Sequence, residues 1–251
     1  MGFTKSKADS NLYYKVEDVN PVILLLYVDD LFVTGVDGFI IDTKRKLTVE
    51  FEMKDLGMMH YFLGMEVWQN TDGISLGQGK YAVEILKRFE MMDCKAMTTP
   101  MASNLKLLSD ASSESIDATM YRQMVGSLMY LTNMRPDICF VVNTLNQYLT
   151  DPRHVHLIAA KNILRYLKGT VEYGIKYEGN QKINLEVYED LYWVGSSIDR
   201  KSTSRCYFIM GSSVIFWFGR MESCIVLSTS EAKYVATCYL GGSMFLLKTT
   251  I

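Results

Sequence analysis

Leu24-Leu25-Leu26-Tyr27-Val28-Asp29-Asp30-Leu31 is the stretch on which the fold turns. An apolar run over residues 22–28 reads as a strand, and a second run begins at Leu31 straight after two adjacent carboxylates. Two strands this close, joined at Asp29-Asp30, make a tight hairpin with both acids at its tip. Unneutralised charges about 4 Å apart repel by about 1 kcal/mol in water and about 4 kcal/mol in a partly shielded site. A divalent cation removes that cost. A solvated turn also bears it, since Asp is a common turn residue. The residue types alone leave both readings open.

The pattern on either side mixes helix and strand. Residues 12–14 and 31–34 read as further strands, and Ile40, Leu47 and Phe51 mark an amphipathic helix over 40–51. Residues 60–68 and 73–76 form a hairpin about Asn70-Thr71-Asp72-Gly73, and a helix covers 81–91. The stretch 95–118, with Pro100 and many Ser, Asp and Asn residues, reads as a long loop. Two helices follow. One spans 121–134 and stops before Pro136; the other opens at Asp151-Pro152, carries the stripe Val155, Ile158, Ala159, Ile163 and Leu167, and closes at Gly169. After the polar link 178–182 come strands at 185–188, 206–210 and 214–218, the last two joined by Gly211-Ser212-Ser213, and a final helix from near Ser230. The fold class is α+β.

Composition excludes several kinds of protein. The 251 residues are 49% hydrophobic and 22% charged, which suits a globular chain with a real core. A net charge of −2 argues against a protein that coats nucleic acid through bulk charge, so any nucleic-acid site must be a local patch. Five scattered Cys, with no C-x-x-C pair, read as reduced thiols rather than a disulfide framework or a zinc site. No signal-peptide pattern opens the chain, and the longest apolar run is far short of the roughly 20 residues that span a bilayer. Met1-Gly2-Phe3-Thr4-Lys5-Ser6 fits the loose myristoylation pattern and carries little weight. The expected setting is intracellular, cytoplasmic or nuclear, with no membrane partner.

Tyr27-Val28-Asp29-Asp30 within its apolar flanks resembles the palm hairpin of reverse transcriptases from copia-type LTR retrotransposons. The resemblance continues through Phe51-Glu52-Met53-Lys54-Asp55-Leu56-Gly57 and Tyr61-Phe62-Leu63-Gly64-Met65-Glu66, then Lys80-Tyr81-Ala82 and Thr99-Pro100-Met101. Tyr121-Arg122 with Val125-Gly126, and Arg135-Pro136-Asp137-Ile138, extend it in order to about residue 178. The resemblance implies a partial palm and thumb over 1–118 and a helical connection over 119–178. It also implies templated addition of deoxynucleotides to a primer 3′-hydroxyl, with two Mg²⁺ ions roughly 4 Å apart. Asp29 and Asp30 match the hairpin metal ligands, Asp29 being the more direct, and Tyr27 and Val28 would lie beside the primer terminus. Tyr27 also reads as an ordinary strand aromatic. The family's third metal-binding aspartate lies on a strand well upstream, and only residues 1–26 precede Tyr27 here. The polymerase reading therefore expects a missing segment, and no activity without it.

A second resemblance covers 184–251. Val187-Tyr188-Glu189-Asp190 with Trp193, Asp199-Arg200-Lys201-Ser202-Thr203-Ser204, and Leu227-Ser228-Thr229-Ser230-Glu231-Ala232 look like the start of the family's ribonuclease H domain, an incomplete α/β sheet. Ribonuclease H also uses carboxylates and two Mg²⁺ ions, here to activate water against RNA paired with DNA. Asp190 and Glu231 match two of its acids. Each has a plainer reading: Asp190 as a strand end, and Ser228 with Glu231 as a capping box. Tyr192 and Lys233 stand where acids are expected, Arg205 stands where Gly would suit a turn, and the chain stops at Ile251, before the remaining acid. A truncated, inactive site is expected.

Lys161, Arg165 and Lys168 lie at helical spacing and could line a template–primer groove, as could Lys80, Lys87, Arg88 and Lys95; solvated faces are the alternative. His60, His154 and His156 show no triad or metal pattern, so core or surface roles are expected. Two functions remain in view. One is a fragment of an RNA-directed DNA polymerase and ribonuclease H acting on template–primer and deoxynucleotides. The other is a non-catalytic retroelement remnant that binds nucleic acid or protein.

Overall fold

The aspartate pair sits in a β-hairpin, as its apolar flanks require. The computed structural model describes residues 1–17, 19–101, 114–182, 184–192 and 203–221. The chain divides after Met58 into two compact units. In the first unit, β1 (Thr4–Lys5), β2 (Leu12–Glu17), β3 (Asn20–Tyr27) and β4 (Asp30–Thr34) form an antiparallel sheet in that order, followed by α1 (Asp37–Glu50). The three expected strands are present, with β2 longer because its pairing with β3 runs on from Tyr14↔Ile23 to Glu17↔Asn20. The core is small: Val22 and Leu24, two apart on one face of β3, are buried, as are Thr43 and Leu47 of α1. Phe51, expected on the buried stripe of the helix, instead terminates α1 with extended backbone and is exposed. Lys44–Asp55 (3.0 Å), Arg45–Asp42 (2.9 Å) and Lys46–Asp42 tie down the solvent side of α1.

The second unit begins at Met59. It contains β5 (Tyr61–Phe62), β6 (Met65–Asn70), β7 (Gly73–Gly77), α2 (Gly79–Arg88), α3 (Ala118–Leu131), α4 (Pro136–Asn146), α5 (His154–Gly169) and β8 (Gly174–Glu178). A hairpin sheet of β9 (Leu185–Tyr192), β10 (Thr203–Met210) and β11 (Ser213–Met221) follows, in the order β11-β10-β9. Strands β5 to β8 form a separate antiparallel sheet. The helices bury one apolar cluster that includes Ile85, Leu86, Tyr121, Leu128, Val142, Ile163 and Leu164. Trp217 Nε1 donates to the Thr132 carbonyl at 2.8 Å, and Tyr177 Oη donates to the Val214 carbonyl at 2.8 Å. Those bonds tie β11 to the end of α3 and to β8.

Several expectations need correction. The strand expected over 60–68 is two strands, β5 and β6, because Leu63 (φ 47°) and Gly64 (φ 76°) make a two-residue turn with both residues left-handed, the type I′ signature. Helix α4 is an addition to the expected elements. Pro136 reads as a stop, yet its fixed φ also suits the first turn of a helix. Strand β8 is a second addition, since it carries one buried side chain, Ile175, and exists by pairing with the distant β7. On α5 Ala159, Ile163 and Leu167 of the expected stripe are buried, but Ile158 is exposed, and His156, Ala160 and Leu164 join the buried face. Arg205 is not in a turn; it lies within β10, opposite Asp190 and Gly219, so no glycine-like backbone is needed there.

Candidate active site

Register decides where the two aspartates go. β3 and β4 pair Leu25↔Phe32, Leu26↔Leu31 and Tyr27↔Asp30, which leaves Val28 and Asp29 as the two-residue turn. The residue pattern puts both acids at the joint; instead Asp29 is in the turn and Asp30 is the first paired residue of β4. Val28 has φ 52° while Asp29 does not have a positive φ, so the first residue of the turn takes a left-handed conformation that favours Gly. A β-branched residue there is strained by about 1–2 kcal/mol.

Tyr27 and Asp30 are directly opposite, so their side chains share one face, with the Leu25–Phe32 pair behind them. Val22 and Leu24 alternate onto the other face, the buried one. Tyr27, Val28, Asp29 and Asp30 are all exposed. The result is a carboxylate in the turn and another on the strand beside it, open to solvent, next to an exposed phenol. Carboxylate oxygens are the hard donors that Mg²⁺ takes. Among the described residues no group of three or more His, Cys, Asp or Glu side chains could hold a metal ion, so the pair fits Mg²⁺ in kind but supplies only part of a coordination shell.

The other expected residues are spread along the second unit. Asp190 is in β9, opposite Arg205 of β10; its side chain and all of Glu231 lie outside the described residues. Lys161, Arg165 and Lys168 are on α5, and Arg165 Nε donates to the Lys95 carbonyl at 2.8 Å. His156 is fully buried, stacked on Tyr148 with ring centroids 3.9 Å apart, and its Nδ1 accepts from the Arg153 amide at 2.9 Å. That is a core and capping role.

Sequence reasoning missed the Arg135 cluster. Arg135 is 3% exposed and pairs with Asp137 at 2.7 Å. Its Nη1 donates to the Thr170 carbonyl at 2.9 Å and its Nη2 to Thr170 Oγ1 at 2.8 Å, with the guanidinium over the rings of Tyr166 and Tyr173. Burial pushes the Asp137 carboxyl up, but hydrogen bonds from Arg135, its charge, and the Tyr166 hydroxyl outweigh that and hold it below the usual carboxylate range. The cluster clamps the start of α4 to the end of α5. Arg-Pro-Asp is visible as a motif, but only the distant partner Thr170 reveals its use.

The family described as Reverse transcriptase (RNA-dependent DNA polymerase) matches residues 1–103. The Retrovirus-related Pol polyprotein from transposon RE1 of Arabidopsis thaliana is 37% identical over 93% of this chain and 16% of its own length. An uncharacterized mitochondrial protein of the same plant is 38% identical over 85% of this chain and 89% of its own. A transposon Ty5-1 protein of Saccharomyces cerevisiae is 30% identical over 94% and 78%. No solved structure matches. The class is therefore reverse-transcriptase-like. The chain belongs to the copia-type retrotransposon Pol family, and it spans 16% of the RE1 polyprotein. Among the described residues no helix is long and apolar enough to cross a membrane.

Proposed function

We propose that this chain carries the hairpin part of an RNA-directed DNA polymerase site, with Asp29 and Asp30 as metal ligands. The observation that carries the reading is the register Tyr27↔Asp30, which puts one carboxylate in a strained two-residue turn and the second beside it, both exposed. When bound there, Mg²⁺ lowers the pKa of the primer 3′-hydroxyl and neutralises triphosphate charge. The chain's own part is positional. The sheet pairing fixes both carboxylates on a short, rigid tip, and Tyr27, on the same face as Asp30, offers a flat surface to the primer terminus. Residues 1–118 then act as partial palm and thumb, 119–178 as the helical connection, and 184–251 as the beginning of a ribonuclease H-like domain with Asp190 and Glu231 among its acids.

Two carboxylates alone hold Mg²⁺ weakly, and among the described residues no third ligand joins them. Catalysis on this reading waits on a further polymerase segment. The same observation favours a second reading, a retroelement remnant that binds nucleic acid without chemistry. Mg²⁺-dependent primer extension by the 251-residue chain, with Asp29→Asn as control, tests the pair. The expected result is no extension by the chain alone, and Asp29-dependent extension once an upstream polymerase segment is added. Extension insensitive to Asp29→Asn would overturn the site assignment, and salt-sensitive binding with no rescue would favour the remnant.

A further inference from the structure

Arg135 shows how this chain holds a guanidinium: over the rings of Tyr166 and Tyr173, 5.6 and 5.5 Å from their centroids, with the Asp137 carboxylate at 2.7 Å. Aromatic faces attract a cation through their quadrupole, and a carboxylate takes its N–H donors. Tyr173 also lines a cavity of about 450 Å³ in the second unit, where strands β6 and β7, helix α2 and the 171–173 link meet. That volume is ordinary for a ligand site, for which roughly 300–1,000 Å³ is usual.

Each wall follows from the local pattern. Glu66 and Trp68 are two apart on β6, so both stand on the face opposite the buried Val67. Gly77 pairs with Glu66 across the strands, and a Cβ there would meet two carbons of the Trp68 ring at 3.1 and 3.3 Å. The bare glycine lets the indole lie against the backbone while Trp68 stays 51% exposed. On α2, Lys80, Val83, Glu84 and Lys87 recur at helical spacing, away from the buried Ala82, Ile85 and Leu86. Glu172 and the exposed Tyr173 form the third wall, and the Tyr173 amide donates to the Thr170 carbonyl at 3.1 Å.

Charge selects what enters. Glu66 is already engaged: its Oε2 accepts from the Lys80 amide at 2.9 Å, and its Oε1 is 3.5 Å from Lys80 Nζ. Among the described residues, the carboxylates of Glu84 and Glu172 take part in no ion pair or hydrogen bond, and Lys87 is the further cation beside them. The walls therefore carry a surplus of negative charge next to two exposed aromatic rings.

We propose that this cavity docks an arginine side chain presented by a protein partner, its guanidinium stacked on Trp68 and bonded to Glu84 and Glu172. Asp29, Asp30 and the polymerase reading play no part in it. A guanidinium is planar, weakly hydrated and able to stack, whereas an ammonium is a strongly hydrated point charge. A hard metal ion would want more oxygen donors than two carboxylates and an indole supply. Trp and Tyr set in a pocket, opposite Arg, are the residue types that dominate protein–protein binding energy.

The test is an NMR titration of the 251-residue chain with acetyl-Gly-Arg-Gly-amide, read at the Trp68 indole N–H. The expected result is a saturable shift, with the lysine peptide about three-fold weaker and the neutral citrulline peptide silent. Glu84→Gln/Glu172→Gln should weaken binding about five-fold, and the exposed pair Glu90→Gln/Glu114→Gln should match wild type. Lys87→Gln removes the opposing charge and should tighten binding about two-fold, a gain that misfolding cannot produce. Equal binding of the citrulline peptide, wild-type affinity in Glu84→Gln/Glu172→Gln, or weaker binding in Lys87→Gln would overturn the proposal. Guanidinium chloride binding as tightly as the peptide would overturn the protein partner. So would a Trp68 shift produced by a short oligonucleotide and not by the peptide.

Discussion

The two units are stabilised in different ways, and the candidate active site sits on the weaker of them. In residues 1–58 the buried hydrophobics among the described residues are Val22, Leu24 and Leu47; the second unit buries a cluster drawn from four helices. Hydrophobic burial is the dominant favourable term in folding. The first unit therefore leans on backbone pairing: a four-stranded sheet whose register holds the Tyr27–Asp30 tip. The second leans on packing, with Tyr121, Leu128 and Leu164 fully enclosed. A site held by register can tolerate strain in its turn, as Val28 shows, provided the strands on either side stay paired.

The largest expected effect is in the helical core. Leu128→Ala should cost about 3 kcal/mol or more, seen as a lower urea midpoint by tryptophan fluorescence. All three tryptophans, Trp68, Trp193 and Trp217, follow Met59, so that signal reports the second unit. Val22→Ala in the first unit should leave that transition unmoved. A shift as large as that of Leu128→Ala would erase the distinction between the units.

Next in size is the Arg135 clamp. Asp137→Asn leaves a buried guanidinium without its counter-charge, at a cost of about 3 kcal/mol. Its sign with pH follows from the depressed Asp137 pKa. The contribution is present above the unfolded carboxyl value of 3.8 and is lost as pH falls through the lower folded value. Stability measured against pH should lose that acid-limb component in Asp137→Asn; an unchanged acid limb would place it elsewhere.

Smaller still is the Leu63-Gly64 turn. Gly64 has φ 76°, and a Cβ there would meet Tyr130 Oη at 2.5 Å, the same hydroxyl that donates to the Leu63 carbonyl. Gly64→Ala should cost about 1–2 kcal/mol by thermal unfolding, and Tyr130→Phe in the same background should recover part of it. The smallest effect runs the other way. Val28→Gly should relieve the turn and stabilise the first unit by up to about 1 kcal/mol, read as slower hydrogen exchange at residues 22–34.

How much of this is legible in the sequence depends on where each partner lies. The α+β class and the Asp29–Asp30 hairpin are readable because apolar runs, turn residues and paired acids are local signals. The one-residue placement of the turn is not, because Val-Asp is a poor match to any two-residue turn and the choice is made by the register of β2, β3 and β4 together. Helix α4 is hidden because Pro136 reads as a stop while it opens a helix, α3 having already ended at Leu131. β8 is hidden because its pairing partner is about a hundred residues upstream. The α5 stripe is legible at Ala159, Ile163 and Leu167 but not at its start, where His156, polar by type, is buried as a capping residue and Ile158, apolar by type, faces solvent. The spacing of Lys161, Arg165 and Lys168 is visible in the sequence, but the bond from Arg165 to the distant Lys95 carbonyl is not.

The central claim, that the hairpin tip is a metal site, is tested most directly by Mn²⁺ titration with amide line broadening in the 251-residue chain. The account predicts weak, saturable broadening centred on Val28, Asp29, Asp30 and Leu31 that Mg²⁺ competes away and that Asp29→Asn abolishes. Broadening centred elsewhere, or unchanged in Asp29→Asn, would contradict it.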